Sequence, residues 1–385
     1  MAKQKIRLLF FLLILVFSVK VSAQDFRGQI EEINSLIDNR NLERALVLAE
    51  QLRHSDHDLM KGVGLEFMGS IYYQQGRDSL ALHYFNLSQP LFDSHSVYVR
   101  KGIIYLNRNE LDSALTNYHK AYDRKFEGID SLTWADICQD LGIIYKEKVQ
   151  YEESAKFLKE ALEYDPENWK IDFELSDLTA KSNQFEASVG WAEQALLKPG
   201  GQNSSVYYMK ASALSFLEKF EESLEIGYTL LNDSIVGYDA NIMIGIIYER
   251  TGRLDSALFY SEQALALRPE ELIPLNNVAY MLQRMGRYEE ALVYLDRTIA
   301  LNSEFPYPHN NKAYCLLKTG EISRAFDSVQ RSLALDDTNS YAYANRALIY
   351  KEMNQLTKAC ADTRRALELG YPLDELSALV LECEK

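Results

Sequence analysis

The sequence predicts an all-α protein in which one helix–turn–helix unit repeats about ten times and a last helix closes the array. Three observations carry this. Small residues recur at a fixed step of 34: Gly245, Ala279, Ala313 and Ala347 form one series, and Ala257, Ala291, Ala325 and Ala359 another. Within each unit, apolar residues return every three or four positions, the mark of two amphipathic helices. Between those helices fall Gly252, Gly286, Gly320 and Asn354, where a helix C-terminus takes a residue tolerant of the left-handed region.

Composition agrees and excludes alternatives. With 47% hydrophobic and 25% charged residues over 385 positions, the chain is too apolar for disorder and too charged for a multi-span membrane protein. Its 41 Lys and Arg face 56 Asp and Glu, a net charge of −15. That excess argues against nucleic acid, which needs a basic face. Only 18 Gly and 8 Pro exclude collagen-like or Pro-rich linker designs.

In chain order, residues 1–23 read as a secretory signal peptide. Lys3, Lys5 and Arg7 precede an apolar run from Leu8 to Phe17, and Val21-Ser22-Ala23 offers small residues at −3 and −1. The run is too short to span a bilayer comfortably, and Lys20 interrupts its continuation. Cleavage is expected after Ala23. It would remove four basic residues and no acidic one, leaving no second span-length apolar stretch and a soluble product.

The array is expected over residues 24–373. Its first half, 24–203, holds units near 26–61, 62–94, 95–134, 135–168 and 169–203. Its second half, 204–373, holds 204–237, 238–271, 272–305, 306–339 and 340–373. The units at 26–61 and 169–203 are degenerate, the latter with Asp172 and Thr179 at usually apolar places. Pro199-Gly200-Gly201-Gln202-Asn203-Ser204 is the expected hinge. Residues 374–385 read as a capping helix after Pro372.

The pattern has a packing logic. A Gly or Ala on the first helix faces an Ala on the second, so two backbones approach closely. Tyr248 and Leu295 fill the flanks, Ala264 lets the next unit dock, and Pro269 stops the helix for want of an N–H. This set resembles the tetratricopeptide repeat, and the Val-Ser-Ala-Gln ending is similar to leaders of exported Bacteroidetes proteins. The resemblance implies a right-handed α-α superhelix that holds protein or peptide on its concave face.

Motifs for chemistry are nearly absent. There is no nucleophile elbow, zincin helix or phosphate loop. Gly62-Val63-Gly64 lacks both the third glycine and a preceding strand. His54, Asp56, His57 and Asp58 read as a solvated loop. No catalytic residue, metal or cofactor is expected.

Binding has a better signature. Asn277, Asn311 and Asn345 share one register position, Asn276 and Asn310 precede two of them, and Tyr280 and Tyr314 lie three residues on. Asparagine carries donor and acceptor together, so such a ladder suits an extended backbone. The expected function is a non-catalytic protein- or peptide-binding scaffold of the periplasm or cell envelope. A ligand-sensing component of a regulatory system is the alternative, and an enzyme a remote one. The absence of a signalling domain before Lys385 favours the scaffold.

Two covalent features are expected. Asp-Ser-aliphatic tripeptides place Ser79, Ser113, Ser131, Ser234, Ser256 and Ser328 in a pattern similar to the O-glycosylation signal of exported Bacteroidetes proteins, although Asp and Ser are also favoured at helix starts. Cys360 and Cys383 lie about eleven residues on either side of the turn near Tyr371 and Pro372. An antiparallel hairpin would then bring them to the ~5.5 Å Cα separation of a disulfide, which an oxidising compartment closes. Cys138 and Cys315 read as buried apolar residues.

Overall fold

The computed structural model describes residues 23–124 and 130–383. The expected signal segment lies outside them except for Ala23. Twenty-one helices and no strand occur among the described residues. They fall into two compact units, divided between Gln202 and Asn203.

The first unit holds five hairpins: α1 (Ala23–Asp38) with α2 (Leu42–Arg53), α3 (Asp58–Gln74) with α4 (Asp78–Ser88), α5 (His95–Asn107) with α6 (Leu111–Tyr122), α7 (Ser131–Glu147) with α8 (Tyr151–Tyr164), and α9 (Trp169–Lys181) with α10 (Phe185–Leu197). The second holds α11 (Ser204–Phe216) with α12 (Phe220–Leu230), α13 (Gly237–Arg250) with α14 (Leu254–Leu267), α15 (Leu272–Arg284) with α16 (Tyr288–Leu301), α17 (Pro306–Lys318) with α18 (Ile322–Leu335), α19 (Ser340–Glu352) with α20 (Leu356–Glu368), and the last helix α21 (Leu373–Cys383). The expected ten helix pairs and a closing helix are present among the described residues, consecutive pairs packing as repeats within each unit.

Each hairpin closes for a local reason. The turn residue is left-handed at Gly76, Gly252, Gly286 and Gly320, and also at Asn109, Asn183 and Asn354. In the first unit the small position makes room for a large side chain and not, as expected, for an Ala: a Cβ on Gly69 would strike the Phe85 ring, and one on Gly142 would strike Leu158, both at 2.6 Å. Where the second helix carries Ser instead, its hydroxyl reaches across. Ser154 donates to the Gly142 carbonyl and Ser223 to that of Ala211, each at 2.7 Å. Two more hairpins are tied internally near their open ends, Ser88 donating to the Gly62 carbonyl at 2.8 Å and Ser332 to that of Pro306 at 3.0 Å.

The degenerate unit at 169–203 keeps the fold by satisfying its polar substitutions. Asp172 is 1% exposed and pairs with Lys198, while Thr179 donates to the Leu175 carbonyl at 2.8 Å. The segment expected as a hinge is built in at both ends: Gly201 is buried against the Ala195 carbonyl, and Asn203 caps α11 by accepting from Ser205 and Val206 N–H.

Candidate partner-binding face

In the second unit the first helices of successive hairpins touch, α15 with α17 and α17 with α19, so they form one continuous side. Their asparagines face each other across repeats. Asn311 Nδ2 donates to Asn276 Oδ1 at 3.1 Å, and Asn345 Nδ2 to Asn310 Oδ1 at 2.8 Å. Asn310 and Asn345 are buried, whereas Asn276, Asn277 and Asn311 are half-buried. The ladder is therefore a set of inter-repeat pairs, and much of its amide capacity is spent within the protein.

What the same stripe offers outward is aromatic and cationic. Ile273, Tyr307 and Tyr341, at 34-residue steps, are 53%, 50% and 51% exposed. Helical spacing places them in line with Asn276/Asn277 and Tyr280, or with Asn310/Asn311 and Tyr314. Arg284 stands over the Tyr280 ring at 5.8 Å and donates to its hydroxyl at 3.2 Å; Lys318 stands over Tyr314 at 5.1 Å. Ile273, Tyr307 and Tyr341 carry no binding signature in the sequence beyond their 34-residue step, which is visible there.

The first unit carries charge on its first helices instead. The Tyr118 hydroxyl donates to Asp140 Oδ2 at 2.7 Å. Burial, reinforced by the nearby Asp136 and Glu174 carboxylates, pushes Asp140 up to about 7. Lys146, 6% exposed, donates to Glu174 at 2.6 Å and also to Asp177. Glu66 on α3 and Arg100 on α5 are buried and half-buried respectively. None of these was singled out from sequence, because the unit lengths vary there and blur the register.

The other expected sites are placed as follows. A disulfide joins Cys360 on α20 to Cys383 on α21, with Cα atoms 5.5 Å apart; Cys138 and Cys315 are buried. Of the candidate modification serines, Ser79, Ser131 and Ser234 are exposed, and Ser113, Ser256 and Ser328 are half-buried. Asp130 caps α7 by accepting from the Leu132 and Thr133 N–H groups, and Asp233 accepts from those of Ile235 and Val236 in the turn before α13, so local backbone hydrogen bonding accounts for those two tripeptides. Asp327-Ser328 lies inside α18, where capping accounts for nothing. Among the described residues no group of His, Cys, Asp and Glu converges as metal ligands, and no helix is long and apolar enough to cross a membrane.

Family models described as tetratricopeptide repeat match residues 135–168 and 238–271, 275–304, and 329–361. No curated protein matches the chain. Among solved structures, a tetratricopeptide repeat protein from Parabacteroides merdae is 16% identical, with 65% of this chain and 99% of that one covered at a TM-score of 0.54. A chain of the Cut9–Hcn1 hetero-tetramer of APC/C is 11% identical, with 94% of this chain and 83% of that one covered at a TM-score of 0.55. At these identities the likeness is one of fold.

Proposed function

We propose, on the premise that this chain is a tetratricopeptide repeat protein, that it is a non-catalytic scaffold of the cell envelope which holds an extended peptide on the first-helix face of its second unit. Repeats of this family mediate protein interactions, and the carrying observation is the exposed line of Ile273, Tyr307 and Tyr341 beside the paired asparagines. Side chains exposed at regular steps suit a ligand whose own residues recur regularly, while half-buried Asn277 and Asn311 can meet its backbone. Export is supported by the leader-like segment before Gln24 and by the Cys360–Cys383 bond, which persists in an oxidising compartment.

Capture on a random twelve-residue peptide array tests the binding half. The chain should retain a sequence-restricted set of peptides, and the triple change of Ile273, Tyr307 and Tyr341 to Ser should lose it with the helical content intact. Retention by that variant equal to the parent would overturn the assignment of this face. Cell fractionation with amino-terminal sequencing tests the other half. A cytoplasmic product that retains residues 1–23 would overturn export.

A further inference from the structure

Three first helices of the second unit, α15, α17 and α19, each carry a large side chain, about half exposed, at the same place: Ile273, Tyr307 and Tyr341. One hairpin earlier that place holds Asp239, so the row begins at Ile273. Its two tyrosine rings are held in position. Tyr307 meets Phe305 edge to face at 5.4 Å between centroids, and Tyr341 meets Tyr371 in the same way at 5.0 Å. A second row, Tyr280 and Tyr314, stands seven residues on, about 10.5 Å along the helix axis. The asparagines lie between the rows. This strip is uncharged, although 25% of the chain's residues are charged. The cations that α17 and α19 carry within its bounds turn aside, Lys312 to Asp296 and Arg346 to Asp362, both on second helices, and His309 is buried.

The spacing along the row decides which backbone fits. Packed helices stand ~8–10 Å apart. These helices are packed, α15 on α17 and α17 on α19, with an amide pair across each boundary. A ligand that gives one side chain to each hairpin must repeat at about that distance on one face. A β-strand does not. Its same-face residues recur at about 6.6 Å, and its third residue, about 10 Å on, points the other way. An α-helix returns to one face after seven residues, about 10.5 Å, but its backbone groups are bonded to each other. It would cover half-buried Asn277 and Asn311 without meeting them. Polyproline II repeats on one face every three residues, about 9.3 Å, and its carbonyls have no internal partner.

We infer that the ligand held on this face is an uncharged, proline-rich segment in the polyproline II conformation, every third residue packing in turn at Ile273, Tyr307 and Tyr341. Its carbonyls accept from the side-chain N–H groups of Asn277 and from the N–H that Asn311 does not spend on Asn276. The inference rests on the peptide-binding reading above and names the class of peptide. Three hairpins match three turns, so about nine residues fill the row. Proline suits the place for two reasons. Its fixed φ leaves little freedom to lose on binding, and it has no N–H for the apolar rings to leave unmet.

Fluorescence anisotropy on the full chain tests this with labelled, uncharged peptides. The probe is Leu-Pro-Pro repeated three times. The comparisons are an alternating Thr-Val strand former, an Ala-Leu-Gln helix former, and Leu-Pro-Pro-Gly repeated three times, which carries its leucines out of step. The probe should bind saturably and at least about tenfold tighter than every comparison, and Tyr307→Ser and Tyr341→Ser should each weaken it by about tenfold with helical content intact. Tighter binding of the strand or helix former overturns the inference. So does equal binding of the four-residue repeat, or a probe indifferent to both tyrosine variants. If the random array yields peptides that the triple Ser variant loses while the probe does not bind, this inference falls and the peptide-binding reading stands. If neither array nor probe gives binding, both fall.

Discussion

Single residues show where this chain departs from its own repeat. Val149 holds a left-handed turn with φ +60°, at the place that Gly252, Gly286 and Gly320 fill in later hairpins. A β-branched side chain there crowds the backbone, at roughly 1–2 kcal/mol. It is 67% exposed, so removing it costs little packing. Val149→Gly should therefore raise stability by about 1 kcal/mol in urea unfolding, after the entropy cost of glycine. Asp140 is a second departure. Its folded value near 7 lies above the ordinary 3.8, so between those pH values the folded chain binds more protons than the unfolded one. Stability from this group is present at low pH and is lost as pH rises toward 7. Asp140→Asn keeps an acceptor for Tyr118 and should stabilise the protein by roughly 1–3 kcal/mol at pH 8, with the gain shrinking toward pH 4. A pH-independent difference would show that burial of the carboxylate is not its origin.

Among elements, α21 depends most on a single covalent link. It buries Leu376 against Ala344 and Ala366, and Leu379 against Ala347 and Ala359, beside a Lys351–Glu382 ion pair at 2.6 Å. That is one face of a short terminal helix, and such ends fray readily. The Cys360–Cys383 bond closes a 23-residue separation, for which the chain-entropy estimate is roughly 3 kcal/mol. Cys383→Ser should increase amide exchange throughout α21 by about a hundredfold, with much smaller changes in α15 and α17. Uniform acceleration across the second unit would mean that the cap folds with the whole unit. Helix pairs, turns and small positions were legible in the sequence because they repeat, and a 34-residue step survives much local noise. The pairing of amides across repeats was not legible. The sequence places Asn277, Asn311 and Asn345 in one row, whereas Asn311 and Asn345 bond the preceding row, because neighbouring helices are offset by about one residue where their side chains meet. Glu66 and Arg100 were hidden further by a unit one residue shorter than 34.

At the scale of the whole molecule, the division of the described residues among many core clusters is the governing fact. Core clusters are distributed along the array, each spanning neighbouring hairpins: Ala211, Leu224, Met243 and Ile244 form one, and Ala313, Val329, Ala342 and Ile349 another. Stability in such an array is close to a sum of hairpin terms and nearest-neighbour contacts, so a fragment that retains its neighbours retains most of its stability. The second unit begins at Asn203, whose side chain caps α11, and it ends on the pinned α21. Both of its ends are therefore finished by local devices within residues 203–385. Expressed alone, that fragment should be monomeric and keep its helical content. Its unfolding should remain cooperative, and its peptide set on the array should match that of the full chain. The fragment 238–385 lacks the α11–α12 hairpin, so the faces of Met243 and Ile247 that pack on it become exposed. It should unfold at lower urea and associate at high concentration. Equal midpoints for the two fragments would mean that α11 and α12 contribute nothing to the stability of their neighbour, contrary to the nearest-neighbour account.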